Sequence, residues 1–279
     1  MGPLTITEKQ SQRLGLKSHT QLSPLLEKCC LRISANVSYD NTAKDVKYVT
    51  GIYVSAKTQE RLVNRTEFKT TKVDSEIKEL SVDGGKVRLR TPLGEACQWR
   101  DYKGICLNKE VKLAVFQENQ SLIDWVNKQP LAEKVACLGD GHDGIWNIIK
   151  EIGHEKQRLE ILDWFHLKEN LYKVGGSIKR LKKAESLLWK GKIEETQKLF
   201  LNFSRPQAKK FCNYLSKHSH RIVDYNYYYS NQICSIGSGA VESTIKQIDR
   251  RIKISGAQWK QENVPQILAH RCAYLNDSI

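Results

Sequence analysis

Two apolar runs, each closing on an aspartate, constrain this chain more than any other feature. Val135-Ala-Cys-Leu138 contains no polar residue and ends at Gly139-Asp140-Gly141-His142-Asp143-Gly144. An unbroken run of this kind is the pattern of a strand buried on both faces. Directly after it, Ile145, Trp146, Ile148 and Ile149 begin a helix at apolar spacing. Leu159-Glu-Ile-Leu162 is another buried strand, and it ends at Asp163-Trp-Phe-His166. Strand, helix, strand is the reading, with a carboxylate at the end of each strand.

Upstream the pattern changes. Glu79-Leu-Ser-Val82 reads as a short strand that places Asp83 at its end, just before Gly84-Gly85. Lys86–Arg90 alternates, and Cys97–Cys106 and Lys112–Phe116 give further strands, so an antiparallel meander is expected. A helix over Ser121–Asn127 follows, carrying Leu122, Ile123 and Trp125. Three antiparallel strands, a helix, then strand–helix–strand is the order of the ribonuclease-H-like fold, an α/β architecture with a mixed five-stranded sheet. In that order Asp83 and Asp140 lie on neighbouring strands and can converge.

A third carboxylate comes from the stretch Ile233–Lys253. Gly237-Ser238-Gly239 is a flexible turn that lets the backbone approach another element closely. Val241, Ile245, Ile248 and Ile252 then recur at helical spacing. Glu242 falls in the first turn, where the helix dipole favours a carboxylate, and Lys246, Arg250, Arg251 and Lys253 follow it. Two aspartates and one glutamate suit a hard divalent cation, Mg²⁺ or Mn²⁺. Paired ions of this type activate a water or a 3′-hydroxyl for in-line phosphodiester displacement. Asp143, one helical turn beyond Asp140, competes with it as the second carboxylate.

Forty-five Lys and Arg against 31 Asp and Glu give a formal charge of +14 spread along the chain, which points to nucleic acid as partner. No long apolar run or basic amphipathic anchor supports a membrane, and no signal peptide follows Met1. The eight cysteines form no C-x-x-C pair, so reduced thiols are expected and structural zinc is not. A cytosolic protein fits this balance.

The N-terminal region, 1–66, reads as a helical DNA-binding domain. Residues before about Ser23 look irregular. Ser23-Pro24 starts a helix on which Leu25, Cys29, Ile33 and Val37 keep the period. A second helix is expected from about Tyr39 to Val49, with Ala43, Val46 and Val49, and Gly51 breaks it. Ser55 is the N-cap of a third helix through Arg65. Helix, short turn, polar helix is the helix-turn-helix pattern, with Lys57, Thr58, Gln59 and Arg61 presented to DNA; the plain alternative is a three-helix packing unit. Residues 67–77 read as a linker and 78–279 as the catalytic domain. Within it, 167–234 is an all-helical insertion that includes a helix over Ile193–Phe203. Lys179 and Arg180 open a basic cluster suited to the DNA backbone or to solvent. Tyr225, Tyr227, Tyr228 and Tyr229 pack the insertion or stack on an unpaired base. A last helix, Val264–Leu275, turns Ile267, Leu268 and Cys272 inward.

Ser81-Val-Asp83-Gly, Leu138-Gly-Asp140-Gly-His-Asp-Gly-Ile-Trp146, Ile161-Leu-Asp163-Trp-Phe-His166 and Gly237-Ser-Gly-Ala-Val-Glu242 together resemble bacterial insertion-sequence DDE transposases of the Kra type. That family is distantly similar to the Mutator-like transposases. The resemblance runs from about Leu22 to Leu275 and includes Ser255-Gly-Ala-Gln-Trp259. It implies DNA strand cleavage and strand transfer, with Asp83, Asp140 and Glu242 as metal ligands. It also implies element ends and target DNA as partners, and a dimer or higher assembly that joins two ends. Asp163 and His166 match a C/D-x-x-H signature of the Mutator-like relatives, where His166 would contact a phosphate or brace the site; the equal alternative is a helix-start Asp cap with the histidine one turn along, packed beside Trp164 and Phe165. Lys246, Arg250 and Arg251 would neutralise phosphate charge. A non-catalytic derivative that represses its element by occupying the ends is the main alternative, and a nuclease without strand transfer is the other.

Overall fold

A computed structural model describes residues 6–15, 21–201 and 205–279. Five strands pair in the order β3-β2-β1-β4-β5, with β1 Ile77–Leu89, β2 Gln98–Leu107, β3 Val111–Phe116, β4 Leu131–Gly139 and β5 Arg158–Leu162. β1–β2 and β2–β3 are antiparallel, whereas β1–β4 and β4–β5 are parallel, so the sheet is mixed. The helices in chain order are α1 Glu8–Arg13, α2 Pro24–Ser34, α3 Tyr39–Thr50, α4 Ala56–Arg65, α5 Asn119–Asn127, α6 Asp143–Ile149, α7 Trp164–Tyr172, α8 Ile178–Trp189, α9 Ile193–Lys198, α10 Pro206–Lys217, α11 Tyr225–Ser230, α12 Gly239–Ile252 and α13 Val264–Leu275. The chain is thus an α/β protein with α7–α11 inserted between β5 and α12. Residues 202–204, the end of the helix expected to reach Phe203, lie outside the described residues, as do 1–5 and 16–20.

β1 corrects one expectation. It does not stop at Val82 but runs on through Asp83-Gly84-Gly85, paired residue by residue with β2 from Leu80↔Leu107 to Leu89↔Gln98. Asp-Gly-Gly is turn chemistry by composition, and the neighbouring strand overrides it. The Tyr102 ring lies across its partner Gly85, where an added Cβ would come within 2.3 Å of it. Tyr102 Oη reaches over to donate to Asp249 at 2.8 Å on α12. Gly104, the partner of Asp83, leaves room for Ile245 Cδ1, which would be 2.7 Å from a Cβ there. Two glycines and one tyrosine therefore let α12 lie close on the sheet. With side chains alternating along a strand, Asp83 shares a face with Val87 and Leu89, which pack with Val241, Ile245, Ile248 and Ile252 of α12. Leu80 and Val82 point into the other layer, among Leu122, Ile145 and Ile149.

The N-terminal helices form where their caps predict. Ser23, Ser38 and Ser55 accept from the backbone N–H three residues on, and Gly51 ends α3 in the left-handed region at φ 74°. Three details differ. A short helix, α1, precedes Ser23, closed by a reciprocal Thr7–Gln10 capping box. α2 turns Leu26, Cys30 and Leu31 inward and leaves Leu25 exposed, a face one residue on from the expected one; Val49 of α3 is also exposed. Gln59 is buried, donating to the Val54 carbonyl, and is not presented outward.

Residues 67–76 have no regular structure but are anchored to the body, and Ile77, expected to end the linker, already opens β1. Phe68 stacks on His270 at 4.9 Å, the Val73 N–H donates to Gln129, and Gln266 donates to the Val63 and Thr66 carbonyls at the end of α4. Two buried arginines tie α2 to the same body. Arg251 Nε donates to the Ser34 carbonyl, and Arg271 donates to the Ala35 carbonyl, to Asn36 and to the Gln247 carbonyl. They sit at the C-terminal end of α2, where carbonyls lack helical partners and the dipole favours a cation.

His270 belongs to this junction. It is fully buried, its Nε2 lies 2.9 Å from the Leu31 carbonyl, and Nδ1 has no partner. Burial, helped by the charges of Arg251 and Arg271, pushes its pKa down to about 4 from 6.5. A depressed histidine favours the folded state above its ordinary pKa, and that contribution is lost as pH falls from 6.5 towards 4. The loss amounts to about 3 kcal/mol by pH 4. Urea unfolding at stepped pH is expected to show this slope, flattened in His270→Gln, which keeps a donor for Leu31. An unchanged slope in the variant would assign the acid sensitivity elsewhere.

Candidate metal and phosphate site

Sheet register lines up three aspartates. Ser81 pairs with Leu138 and Leu138 with Ile161, so Asp83, Asp140 and Asp163 each lie two residues further along adjacent strands. The Asp163 N–H continues the ladder to the Gly139 carbonyl at 2.9 Å. Glu242 arrives from above, in the first turn of α12.

Asp163 is fully buried and its oxygens are already occupied. Oδ1 caps α7, accepting from the His166 N–H at 2.7 Å. Oδ2 accepts from the Ser238 N–H and from Ser238 Oγ at 2.7 Å. Burial opposes its charge, but these bonds and the His166 side chain outweigh it and hold the pKa below the usual carboxylate range. The same Ser238 Oγ lies 3.2 Å from Glu242 Oε1. The turn can come this close because residue 237 is glycine. A Cβ there would be 2.6 Å from the Phe165 ring and 3.1 Å from Asp163 Oδ2. Asp163 is therefore a latch: it fixes Ser238, and Ser238 fixes the start of the helix that carries Glu242.

His166 Nδ1 faces Asp163 Oδ1 at 3.2 Å and Glu242 Oε1 at 3.8 Å. The Asp163 side chain, against the opposing effect of burial and helped by the charges of Asp163, Glu242 and Asp140, raises its pKa to about 9. The ring is a cation at neutral pH. Asp163, His166 and Glu242 present one ligand atom each within 4.8 Å of one another, yet a latched Asp163 and a protonated His166 make a poor ligand pair.

Asp83 behaves differently. Burial raises its pKa, one backbone bond from Gly84 at 2.6 Å opposes this, and the charges of Asp140 and then Glu242 raise it further. Asp140, half-buried, accepts from the His142 N–H at 2.8 Å. Among the described residues the trio whose ligand atoms lie within 4.8 Å of one another is Asp163, His166 and Glu242, and Asp83 and Asp140 fall outside it; Asp83, Asp140 and Glu242 are nevertheless the all-oxygen donor set that a hard divalent cation takes. Asp143 turns away to an ion pair with Lys217 of α10.

The cationic residues separate into two kinds. Lys246 is exposed and 3.9 Å from Glu242; Arg250 and Lys253 are exposed, the latter paired with Asp249. Arg251 was expected to meet phosphate, but it is 2 % exposed and braces α2 instead. On α4, Lys57 and Arg61 are exposed, Lys57 paired with Glu60 at 2.7 Å, while Thr58 is half-buried against Ser55. Lys57 also lines a cleft of about 540 Å³ with Arg90 and residues of the 254–260 segment. Lys179 is exposed and Arg180 half-buried at the start of α8. Of the tyrosines, Tyr225 is buried and donates to the Leu162 carbonyl, whereas Tyr227 and Tyr229 are exposed.

Two residues of the site were missed. Ser238 was read only as part of a turn, although its place between two glycines beside an acidic helix start is a signal. Tyr214 of α10 carried none. It lies over Gly141, next to Asp140, and its pKa is raised by burial and then by the charges of Asp140 and Asp163. Compared with known proteins, the chain matches no family model and no curated protein, so its own residues carry the functional reading.

Proposed function

We propose that the protein is a DDE transposase: an enzyme that cleaves DNA at the ends of an insertion sequence and joins the 3′-hydroxyl to target DNA. The observation that carries this is the register that sets Asp83 and Asp140 at matching points of neighbouring strands, on the sheet face over which α12 packs with Glu242 in its first turn. The strand order 3-2-1-4-5, with α7–α11 before α12, supports a ribonuclease-H-like core with a helical insertion.

Asp83, Asp140 and Glu242 would hold Mg²⁺ or Mn²⁺. Three carboxylates fit such an ion by their chemistry, whereas the Asp163 oxygens already accept from the His166 N–H and from Ser238. A bound divalent cation supplies activation of the attacking oxygen and stabilisation of the leaving one. The chain does the rest. Asp163 and Ser238 hold Glu242 in place, His166 sets a positive charge beside it, and Lys246 and Arg250 offer charge to a DNA backbone. Among the described residues no helix is long and apolar enough to cross a membrane.

The test is incubation of the protein with labelled DNA carrying the ends of its own element. Cleavage that needs Mg²⁺ or Mn²⁺, followed by joining to a target plasmid, is expected. Binding without cleavage would instead make the chain a repressor of its element. Cleavage without joining would make it a nuclease.

A further inference from the structure

Beside the latch lies a groove of about 980 Å³ that the reading above does not use. It is bounded by one flank of α12, the 232–237 segment and the turn between β2 and β3. Three large side chains stand in it with much of their surface in solvent: Phe165 at 61 % exposed, Tyr229 at 63 % and Ile233 at 48 %. Apolar surface gathered in this way on a folded chain marks a contact still to be made.

The charges say with what. Lys109 in the β2–β3 turn and Lys112 at the start of β3 line the same groove. The acidic residue among its walls, Glu79, is engaged, with Oε2 accepting from the Ser235 N–H at 2.7 Å and Oε1 3.9 Å from Lys109. Exposed rings beside lysines are how proteins bind unpaired strands: bases stack on the rings and phosphates meet the cations. A second protein chain would not call for the lysines, and duplex DNA keeps its bases stacked inside. The groove is also joined to the carboxylates. Phe165 follows Asp163 by two residues, and its ring packs on Gly237, whose backbone borders Asp163 Oδ2.

We infer that this groove is a single-stranded DNA subsite, taking unpaired nucleotides next to the cleaved phosphate on Phe165 and Tyr229, with Lys109 and Lys112 on their phosphates. The inference rests on the transposase reading, and binding tests it without catalysis. The probe is a short oligonucleotide containing 2-aminopurine, titrated without metal against the parent and the double variant Phe165→Leu/Tyr229→Ser. Leucine keeps apolar contact with Gly237, and thermal melting checks that the fold is kept.

Single-strand affinity is expected to fall about tenfold or more, with quenching of 2-aminopurine lost. Affinity for a duplex of the same sequence should stay within about twofold, because backbone contacts elsewhere carry it. A double variant that binds the single strand as tightly as the parent overturns the inference and leaves the transposase reading intact. A parent that self-associates through this face, with the variant monomeric, overturns it too. A parent that binds neither single-stranded nor duplex DNA removes both readings.

Discussion

Asp83→Asn is expected to lower metal-dependent strand cleavage by about 100-fold or more, equivalent to about 3 kcal/mol of barrier, while leaving the metal-free fold at least as stable as the parent. Most substitutions that abolish an activity say little about why. This one separates two causes, because the carboxylate is costly to the fold and needed by the proposed chemistry. Burial and the charges of Asp140 and Glu242 raise the Asp83 pKa. A carboxyl group raised in this way favours the folded state at low pH, and the contribution is lost as pH climbs past its ordinary range. Asparagine removes the repulsion and keeps an oxygen for the Gly84 N–H, which Asp83 Oδ1 accepts at 2.6 Å. What asparagine cannot keep is the affinity for a divalent cation. Thermal melting with and without Mn²⁺ should therefore show a metal-induced rise in the parent and little or none in the variant. Asp143→Asn is the matched control, since Asp143 is exposed and paired with Lys217, and its cleavage should stay within about twofold of the parent. An Asp83→Asn protein that cleaves like the parent, or gains as much from Mn²⁺, would remove the carboxylates from the proposed mechanism.

The parts of this molecule legible from sequence are those whose pattern has one solution. Val135–Leu138 is apolar on every residue, which reads as a strand between two layers, and the helix expected from Ile145 starts two residues earlier, at Asp143. Ser23 and Ser55 sit where caps sit. The glycine turn before Glu242 could be expected to approach another element, and it does so at Phe165. What was illegible depends on partners distant in sequence. Asp83-Gly84-Gly85 stays in a strand because Tyr102, on the opposite strand, covers the second glycine. Asp163 latches the turn before α12 because Ser238, 75 residues on, takes up Oδ2 twice. Residues 67–77 have the composition of a linker, and only the folded body shows Phe68 resting on His270.

Arg250 and Arg251 carry the second large effect, as neighbours with opposite expected phenotypes. In sequence they are one basic pair. On α12 they are 100° apart, which leaves Arg250 in solvent and turns Arg251 in beside Thr244 and Ile248, both buried. Arg251 is held between the Tyr39 and Trp259 rings at 5.1 and 5.0 Å and donates to the Ser34 carbonyl. Burial lowers its pKa to about 10, so it stays charged at neutral pH. Arg251→Ala leaves a cavity between two aromatic rings and a helix-end carbonyl without its partner. It should cost about 3 kcal/mol or more, read as a fall of roughly 6 to 12 °C in melting temperature. Arg250→Ala should move stability by no more than about 0.5 kcal/mol and weaken DNA binding, with the salt dependence reduced by about one counterion. Measuring both quantities on both variants gives four numbers with one expected pattern. A stable Arg251→Ala protein with weakened DNA binding would return Arg251 to the DNA-facing surface and undo the junction described between α2 and α12.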